Sequence, residues 1–235
     1  RDRRTPAVAT DALDQHHPAG LLQGLAQGSL IHRSIRLQMN QEWKHRDTER
    51  AEGKQVLVVG AGSIGRQIGR LVNAIGLHAH GIARTPRHDD PDFVAVHGND
   101  ELYEQLSHAD FVVIAAPLTP QTEGLFDAKA FAAMKKTARL INIGRGPIVN
   151  TEALLKALDD GEIAGAGLDV FEEEPLPSDH PLWQRENVIM TAHMAGDFIG
   201  WKRALTDQFL ENFDRWHKRG ELFNLVNKEL GYAGS

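Results

Sequence analysis

The chain has 235 residues, of which 41% are hydrophobic, 25% are charged and none is cysteine. That is enough apolar material for one domain with a substantial core, or for one domain with part of a second. The formal net charge of -6 gives no electrostatic basis for binding nucleic acid or an anionic membrane. The lack of cysteine excludes disulfides, thiolate metal sites and cysteine nucleophiles. These features predict a cytoplasmic protein that binds a small molecule and has no nucleic-acid or membrane partner.

The two ends of the chain carry helical patterns. Residues 1–18 are polar and aperiodic, which predicts a poorly ordered lead-in, and residues 19–52 are predicted to form a long linking helix and a charged linker. The apolar stripe of this helix comprises Leu21, Leu25, Ile31, Ile35, Met39 and Trp43. In residues 196–235, a second apolar stripe from Phe198 to Trp216 predicts another helix, with Gly220 as its C-cap.

Between these ends, residues 53–195 alternate short apolar runs with helical segments. The predicted strands are KQVLVVG, HAHGIA, FVVIAAP, ARLINIG, GAGLDVF and NVIMTA, and the predicted helices include Ile64 to Ile75, Asp127 to Met134 and Thr151 to Leu158. Alternation of this kind indicates βαβ units. We therefore predict an α/β fold, a doubly wound parallel sheet of the Rossmann-like, dinucleotide-binding type, with flanking helices from an incomplete second domain.

A glycine-rich loop follows the first predicted strand. Gly60, Gly62 and Gly65 have the spacing G-x-G-x-x-G, and the helix after them begins with Ser63 and Ile64. Such glycines allow a tight turn, a close approach of the backbone to a pyrophosphate, and close helix packing, while the first helical amides face the phosphates. A tight turn without a ligand is the alternative. The strand before the loop and the helix after it favour a dinucleotide site.

The end of the second strand bears on which dinucleotide is bound. An NAD site presents an acidic residue there for the ribose hydroxyls, whereas an NADP site presents arginine for the 2′-phosphate. Here Ala83 occupies the acidic position and is followed by Arg84, Thr85 and Arg87. Guanidinium and hydroxyl donors suit a phosphate dianion. The turn favours NADP over NAD, although an ordinary basic surface loop would carry the same residues.

Four stretches carry a family resemblance. APLTPQTEGLF, MKKTARLINIGRGPIVN, GLDVFEEEPLP and VIMTAHMAG closely resemble the D-2-hydroxyacid dehydrogenase family, which includes glyoxylate/hydroxypyruvate reductases. The resemblance implies that Arg145, Glu174 and His193 are catalytic. It also implies that the cofactor cleft includes Asp169, which would bind the nicotinamide amide, and the following residues: Ala116, Pro117, Thr122, Ile143 and Gly144.

The chemistry of these residue types fits that family's reaction, the interconversion of 2-oxo and 2-hydroxy acids. A planar guanidinium can hold the oxyanions of the substrate in bidentate geometry. A carboxylate beside a histidine orients the imidazole and favours its charged form, so that it can act as general acid in reduction and as base in oxidation. Individually, each residue could equally be a surface ion pair or a solvated side chain. No histidine has a metal-ligand spacing, so we predict no metal site.

The chain departs from the family pattern in two places. Ala192 stands where the family usually has proline, and only about 18 residues precede the linking helix, where family members carry a separate substrate domain. We therefore expect dinucleotide binding, weak turnover of a small 2-oxo acid, and a homodimer formed through apolar helix faces. The alternative is a dinucleotide-binding or scaffold protein without turnover, since transcriptional corepressors share this fold.

Overall fold

In the computed structural model of this chain, residues 31–227 and 232–233 are described, and seven parallel strands form one sheet in the order β3-β2-β1-β4-β5-β6-β7. These strands are β1 (Gln55–Val59), β2 (His78–Ile82), β3 (Ala95–His97), β4 (Phe111–Ile114), β5 (Arg139–Asn142), β6 (Gly165–Leu168) and β7 (Val188–Met190). A separate antiparallel pair comprises β8 (Val226–Asn227) and β9 (Tyr232–Ala233). The predicted lead-in and the start of the predicted linking helix lie outside the described residues.

Helices cover both faces of the sheet. The α-helices of the described residues are α1 (Ile31–Met39), α2 (Ser63–Ala74), α3 (Leu102–His108), α4 (Ala128–Ala133), α5 (Thr151–Asp159) and α6 (Trp201–His217), of which α6 has no buried residue. Successive side chains of β1 enter two different cores: Leu57 packs with α3 and α4 residues, whereas Val58 packs with Ile68 and Val72 of α2. Because both faces are covered, strands such as β4 are buried along their whole length. The α/β doubly wound prediction is confirmed.

All six predicted strands are present, but the seventh strand of this sheet was missed, and so was the β8–β9 pair. Strand β3 has three residues, Ala95–His97, and lies at the edge of the sheet beside β2. One of its three residues is a histidine, so the apolar run is too short to be distinguished from a loop. The predicted segments also extend past the observed strand ends on the carboxyl side, where the chain turns into the loops described below.

Helix α1 ends at Met39, so the prediction that the helical stripe continues to Trp43 is wrong. Gln41 has φ +58, and the amides of Gln41 and Glu42 donate to the carbonyls of Gln38 and Leu37. This pattern is a Schellman motif, which terminates a helix with a residue in the left-handed conformation. Glycine usually occupies that position, so a glutamine there does not mark the end of the helix in the sequence. Trp43 lies beyond it and is fully exposed.

Helix α6 ends in the same way. It closes at His217, and the left-handed residue is Arg219, at φ +54, rather than the predicted Gly220. The amide of Gly220 donates to the carbonyl of Arg215 at 2.8 Å, and that of Arg219 donates to Trp216 at 3.0 Å. Gly220 is therefore the residue after the left-handed position. The C-cap is Lys218, two residues before the predicted Gly220, because the non-glycine residue Arg219 adopts the left-handed conformation.

Candidate active site

The glycine-rich loop lies where the strand order reverses, between β1 and β4. Gly60 has φ +104, and a Cβ at this position would lie 2.6 Å from the amide nitrogen of Ala116 in the loop after β4. A Cβ at Gly65 would lie 2.1 Å from the carbonyl oxygen of Gly60, so the helix packs directly on the turn. Gly62, in contrast, has open space around its missing Cβ. A pyrophosphate can approach the backbone there, and α2 begins at the next residue, Ser63, followed by Ile64.

The turn after β2 presents two of the three predicted phosphate ligands to solvent. Arg84 and Thr85 are exposed, and the amide of Ala83 donates to the carbonyl of His97 at 3.0 Å. The guanidinium of Arg87 donates to Asp90 at 3.0 Å and to the carbonyl of Ala61 at 3.3 Å. The side chain of Arg87 is therefore hydrogen-bonded to the glycine-rich loop.

The hydroxyl of Thr122 makes hydrogen bonds within the loop after β4. Thr122 Oγ1 donates to the carbonyl of Pro117 at 2.7 Å and accepts from the amide of Thr119 at 2.8 Å. Ala116 is buried, and its carbonyl oxygen would lie 2.8 Å from a Cβ at Gly144. The hydroxyl of Thr122 therefore holds the shape of the loop after β4, and this loop lies in contact with the loop after β5.

Asn142, which the sequence analysis did not single out, fixes the loop that carries Arg145. Its buried side chain accepts from the amide of Gly144 at 3.0 Å and donates to the carbonyl of Arg145 at 3.1 Å. Ile143 continues the strand pairing by donating from its amide to Ile114. The only sequence signal for this role was an amide side chain at the end of an otherwise apolar strand.

Arg145 itself is exposed at the carboxyl end of the sheet. Its Nη1 donates to the carbonyl of Gly144 at 2.6 Å. The next residue, Gly146, is packed so tightly that a Cβ there would lie 1.8 Å from the carbonyl oxygen of Phe171. The loop that carries Arg145 is therefore in backbone contact with the loop that leads to Glu174.

Asp169 organises the loop that follows β7. Its buried carboxylate accepts from the hydroxyl of Thr191 at 2.5 Å and from the amides of Met194 and Ala195 at 3.0 and 2.9 Å. Its carbonyl accepts from the amide of His193 at 2.8 Å. A buried carboxylate is stable only when it is bonded in this way. The structure thus places Asp169 behind the loop that presents His193, which the sequence analysis did not foresee.

Glu174 and His193 form a hydrogen-bonded pair. The distance from His193 Nδ1 to Glu174 Oε2 is 2.7 Å, and Glu174 Oε1 accepts from the amide of Phe171 at 2.9 Å. Burial raises the pKa of Glu174, but the bonds from His193 and Phe171 outweigh it and hold the pKa below its usual value. An ionised carboxylate only accepts, so Nδ1 carries a proton and Nε2 remains for another partner.

His193 has φ +49, a left-handed backbone that is uncommon outside glycine. Bonds to Asp169 hold this conformation, and such local strain is typical of functional positions. Arg145, Glu174 and His193 follow the adjacent strands β5, β6 and β7, so all three lie at one edge of the sheet. In doubly wound folds ligands bind in the crevice at this edge.

Neither a metal-binding cluster nor a membrane-spanning helix is present among the described residues. Within residues 31–227, no group of three or more histidine, aspartate or glutamate side chains could hold a metal ion. In the same part of the chain, every helix is too short or too polar to cross a bilayer.

Comparison with known proteins identifies relatives over most of the chain. Residues 22–195 match the family model described as D-isomer specific 2-hydroxyacid dehydrogenase, NAD binding domain. A glyoxylate reductase of Pyrococcus horikoshii is 36% identical over 96% of this chain, which spans 69% of that relative. A glyoxylate reductase of Thermococcus gammatolerans is 38% identical over 76% of the chain, but the match spans only 53% of that protein.

Solved structures agree with these matches. An NADPH-dependent glyoxylate/hydroxypyruvate reductase of Sinorhizobium meliloti, solved with NADP and sulfate, superposes with a TM-score of 0.87 at 29% identity, covering 95% of this chain and 72% of that one. A D-isomer specific 2-hydroxyacid dehydrogenase of Xanthobacter autotrophicus, solved with NADPH and MES, gives a TM-score of 0.84 at 33% identity, with coverages of 94% and 90%. The chain therefore belongs to the D-isomer specific 2-hydroxyacid dehydrogenase family.

Proposed function

We propose that the protein reduces a small 2-oxo acid, such as glyoxylate or hydroxypyruvate, and oxidises the corresponding D-2-hydroxy acid in reverse. The observation that carries this proposal is the 2.7 Å bond between His193 and Glu174 at the carboxyl edge of the sheet. It orients the imidazole so that Nε2 can give a proton to the carbonyl oxygen of the substrate or take one from the hydroxyl. Glyoxylate reductases among the relatives support the substrate class.

Arg145 supplies the positive charge that this reaction needs. It is exposed at the same edge, and a guanidinium can bind the carboxylate and the carbonyl oxygen of a 2-oxo acid together. Its bond to the carbonyl of Gly144 uses one of its donors and fixes the side chain near the cleft. We assign Arg145 to substrate binding and to stabilisation of the developing oxyanion.

A nicotinamide dinucleotide fits the glycine-rich loop, where the open space at Gly62 admits a pyrophosphate. When bound, the cofactor supplies or accepts the hydride. The loops at Ala116, Pro117, Ile143 and Gly144 would line its cleft. Asp169, which already bonds three donors, would contact the nicotinamide amide through remaining lone pairs.

We further propose that NADPH is preferred over NADH. The position for a ribose-binding acid is Ala83, and Arg84 and Thr85 stand exposed beside it. The relatives from Sinorhizobium meliloti and Xanthobacter autotrophicus, solved with NADP and NADPH, support this assignment. A bound 2′-phosphate would be held by charge-assisted hydrogen bonds, which a diol cannot match at this turn.

Fluorescence titration of the purified chain with both nucleotides tests the cofactor assignment. We expect NADPH to bind about tenfold or more tightly than NADH, because each charge-assisted bond contributes roughly 1.5–3 kcal/mol. The double substitution Ala83→Asp with Arg84→Ala should reverse the order. Equal affinities, or tighter binding of NADH by the unmodified chain, would exclude a 2′-phosphate site.

Exposed apolar faces on α1 and α6 support a homodimer. Met39 is 77% exposed and Phe209 is 66% exposed, and Phe209 stacks on Phe213, which contacts Trp216. Apolar surface of this kind favours association with a second copy. Light scattering on the purified chain should give the mass of a dimer, and a monomer at all accessible concentrations would refute this part of the proposal.

A further inference from the structure

Four charged residues join the turn after β2 to the helix that follows the glycine-rich loop. Arg66 of α2 donates to Asp90 at 2.9 Å and to Asp92 at 3.0 Å. Arg87 donates to Asp90 at 3.0 Å. We call Arg66, Arg87, Asp90 and Asp92 the arginine–aspartate network. Of these four residues, only Arg87 belongs to the turn predicted to bind phosphate, and the proposed function assigns no role to the other three.

Asp90 is the centre of this network. Its side chain is 1% exposed, whereas those of Arg66 and Arg87 are about a third exposed. Oδ1 accepts from Arg66 and from the amide of Asp92 at 3.0 Å, and Oδ2 accepts from Arg87 and from Arg66 at 2.8 Å. Burial raises the pKa of Asp90, but these donors outweigh it and lower the pKa below its usual value. One buried carboxylate therefore holds two guanidinium groups.

Through Asp90, Arg87 is fixed between β3 and the glycine-rich loop. Its amide donates to the carbonyl of Val96 and its carbonyl accepts from the amide of Val96, both at 2.8 Å. Its Nη2 reaches the carbonyl of Ala61, between the first two glycines of the loop. The turn from Ala83 to Arg87 is thus tied down at both ends, since the amide of Ala83 bonds to His97.

A turn that is already fixed loses little conformational entropy when it binds a phosphate. Holding charged side chains in their bound arrangement increases affinity mainly by removing that cost. Arg70 of α2 also donates to Asp92, at 2.7 Å, so the three arginines and two aspartates gathered here leave a formal charge of only +1. Because most of the arginine charge is paired, we attribute the contribution of the network to binding a 2′-phosphate mainly to geometry.

We propose that Asp90 is a positioning residue for the adenosine end of the cofactor: by bonding Arg87 and Arg66 together, it holds the turn against the glycine-rich loop and sustains the preference for NADPH. This inference rests on the NADPH preference proposed above. NADH places no phosphate on this turn, so its binding depends less on how the turn is held. Removing Asp90 should therefore weaken NADPH binding selectively.

The test compares dissociation constants of NADPH and NADH for the purified chain and for Asp90→Asn. We expect the constant for NADPH to rise about tenfold and that for NADH to change by less than about threefold, so the preference collapses. A second variant, Arg66→Lys, keeps the positive charge but cannot bond both carboxylate oxygens of Asp90 as the guanidinium does. It should lose the preference in the same way, and it decides the matter if Asp90→Asn fails to fold.

Asp110→Asn is the matched control. Asp110 also accepts from a cation, Lys135 at 3.0 Å, and from a backbone amide, that of Gln55 at 2.9 Å, but it lies at the amino end of the sheet. This variant should lower the melting temperature while keeping the NADPH to NADH ratio. If the folded network variants keep or increase the preference for NADPH over NADH, the positioning role of Asp90 is wrong, while the proposed NADPH preference stands. If the unmodified chain shows no preference for NADPH over NADH, both this inference and the proposed NADPH preference are wrong.

Discussion

At the scale of single residues, the site depends on how a few side chains are held. His193 is bonded at Nδ1 by Glu174, and its backbone is bonded to Asp169 in a left-handed conformation. The lowered pKa of Glu174 keeps its carboxylate ionised as pH falls below the usual range for glutamate. The contribution of this pair to stability is therefore complete above the unfolded pKa of glutamate, and it is lost only as pH falls through the lower folded value.

Substitution of Glu174 distinguishes its effect on the orientation of the His193 imidazole from any effect on cofactor binding. Glu174→Gln keeps the shape of the side chain but removes the charge that fixes the imidazole, so turnover should fall by about tenfold to a hundredfold. The dissociation constant of NADPH should stay within about twofold, since Glu174 is assigned no cofactor contact. Steady-state kinetics and nucleotide titration would measure the two effects. A loss of NADPH affinity equal to the loss of turnover would contradict the positioning role.

At the scale of elements, two glycines near the site should respond differently to the same substitution. Gly146→Ala places a methyl group 1.8 Å from the carbonyl of Phe171, so the loops must separate and stability should fall by roughly 1–3 kcal/mol. Gly62→Ala meets nothing within 4 Å, so the melting temperature should hold while NADPH affinity falls. Calorimetry and titration of both variants would test this contrast. Equal destabilisation by both would contradict the packing described.

The elements also show what the sequence could predict. Buried strands such as β4 were predicted, because a strand buried on both faces is an apolar run in the sequence. The glycine positions of the loop were predicted, because close backbone approaches require glycine. The ends of α1 and α6 were misplaced, because Gln41 and Arg219 take a conformation usually left to glycine. The arginine–aspartate network was missed, because Arg66 of α2 becomes a neighbour of Asp90 and Asp92 only when the chain folds.

At the scale of the whole molecule, one ion pair ties the linker before β1 to the sheet. Glu49 accepts from the buried Arg139 of β5 at 2.9 Å and from Lys54. These bonds lower the pKa of Glu49 to about 2, from a usual value of 4.5. The stability that Glu49 contributes is therefore complete above pH 4.5 and is lost as pH falls toward about 2.

Glu49→Gln should test this contact through its pH dependence. The free energy of unfolding should be lower than in the unmodified chain at neutral pH, and the difference should shrink as pH falls from 4.5 toward about 2. Urea unfolding at a series of pH values would measure it. A difference that does not change with pH would show that Glu49 acts through packing and not through its charge.

Hydride transfer is proposed at the carboxyl edge of the sheet, where Arg145, Glu174 and His193 follow three adjacent strands. The most direct measurement is oxidation of NADPH by the purified chain with glyoxylate, with glycolate quantified, for the unmodified protein and for His193→Ala. We predict glycolate formed in equal amount to the NADPH consumed, and a rate at least about a hundredfold lower in His193→Ala with NADPH affinity retained. Tight binding of NADPH without glycolate, or an unchanged rate in His193→Ala, would contradict the account and favour a dinucleotide-binding protein without turnover.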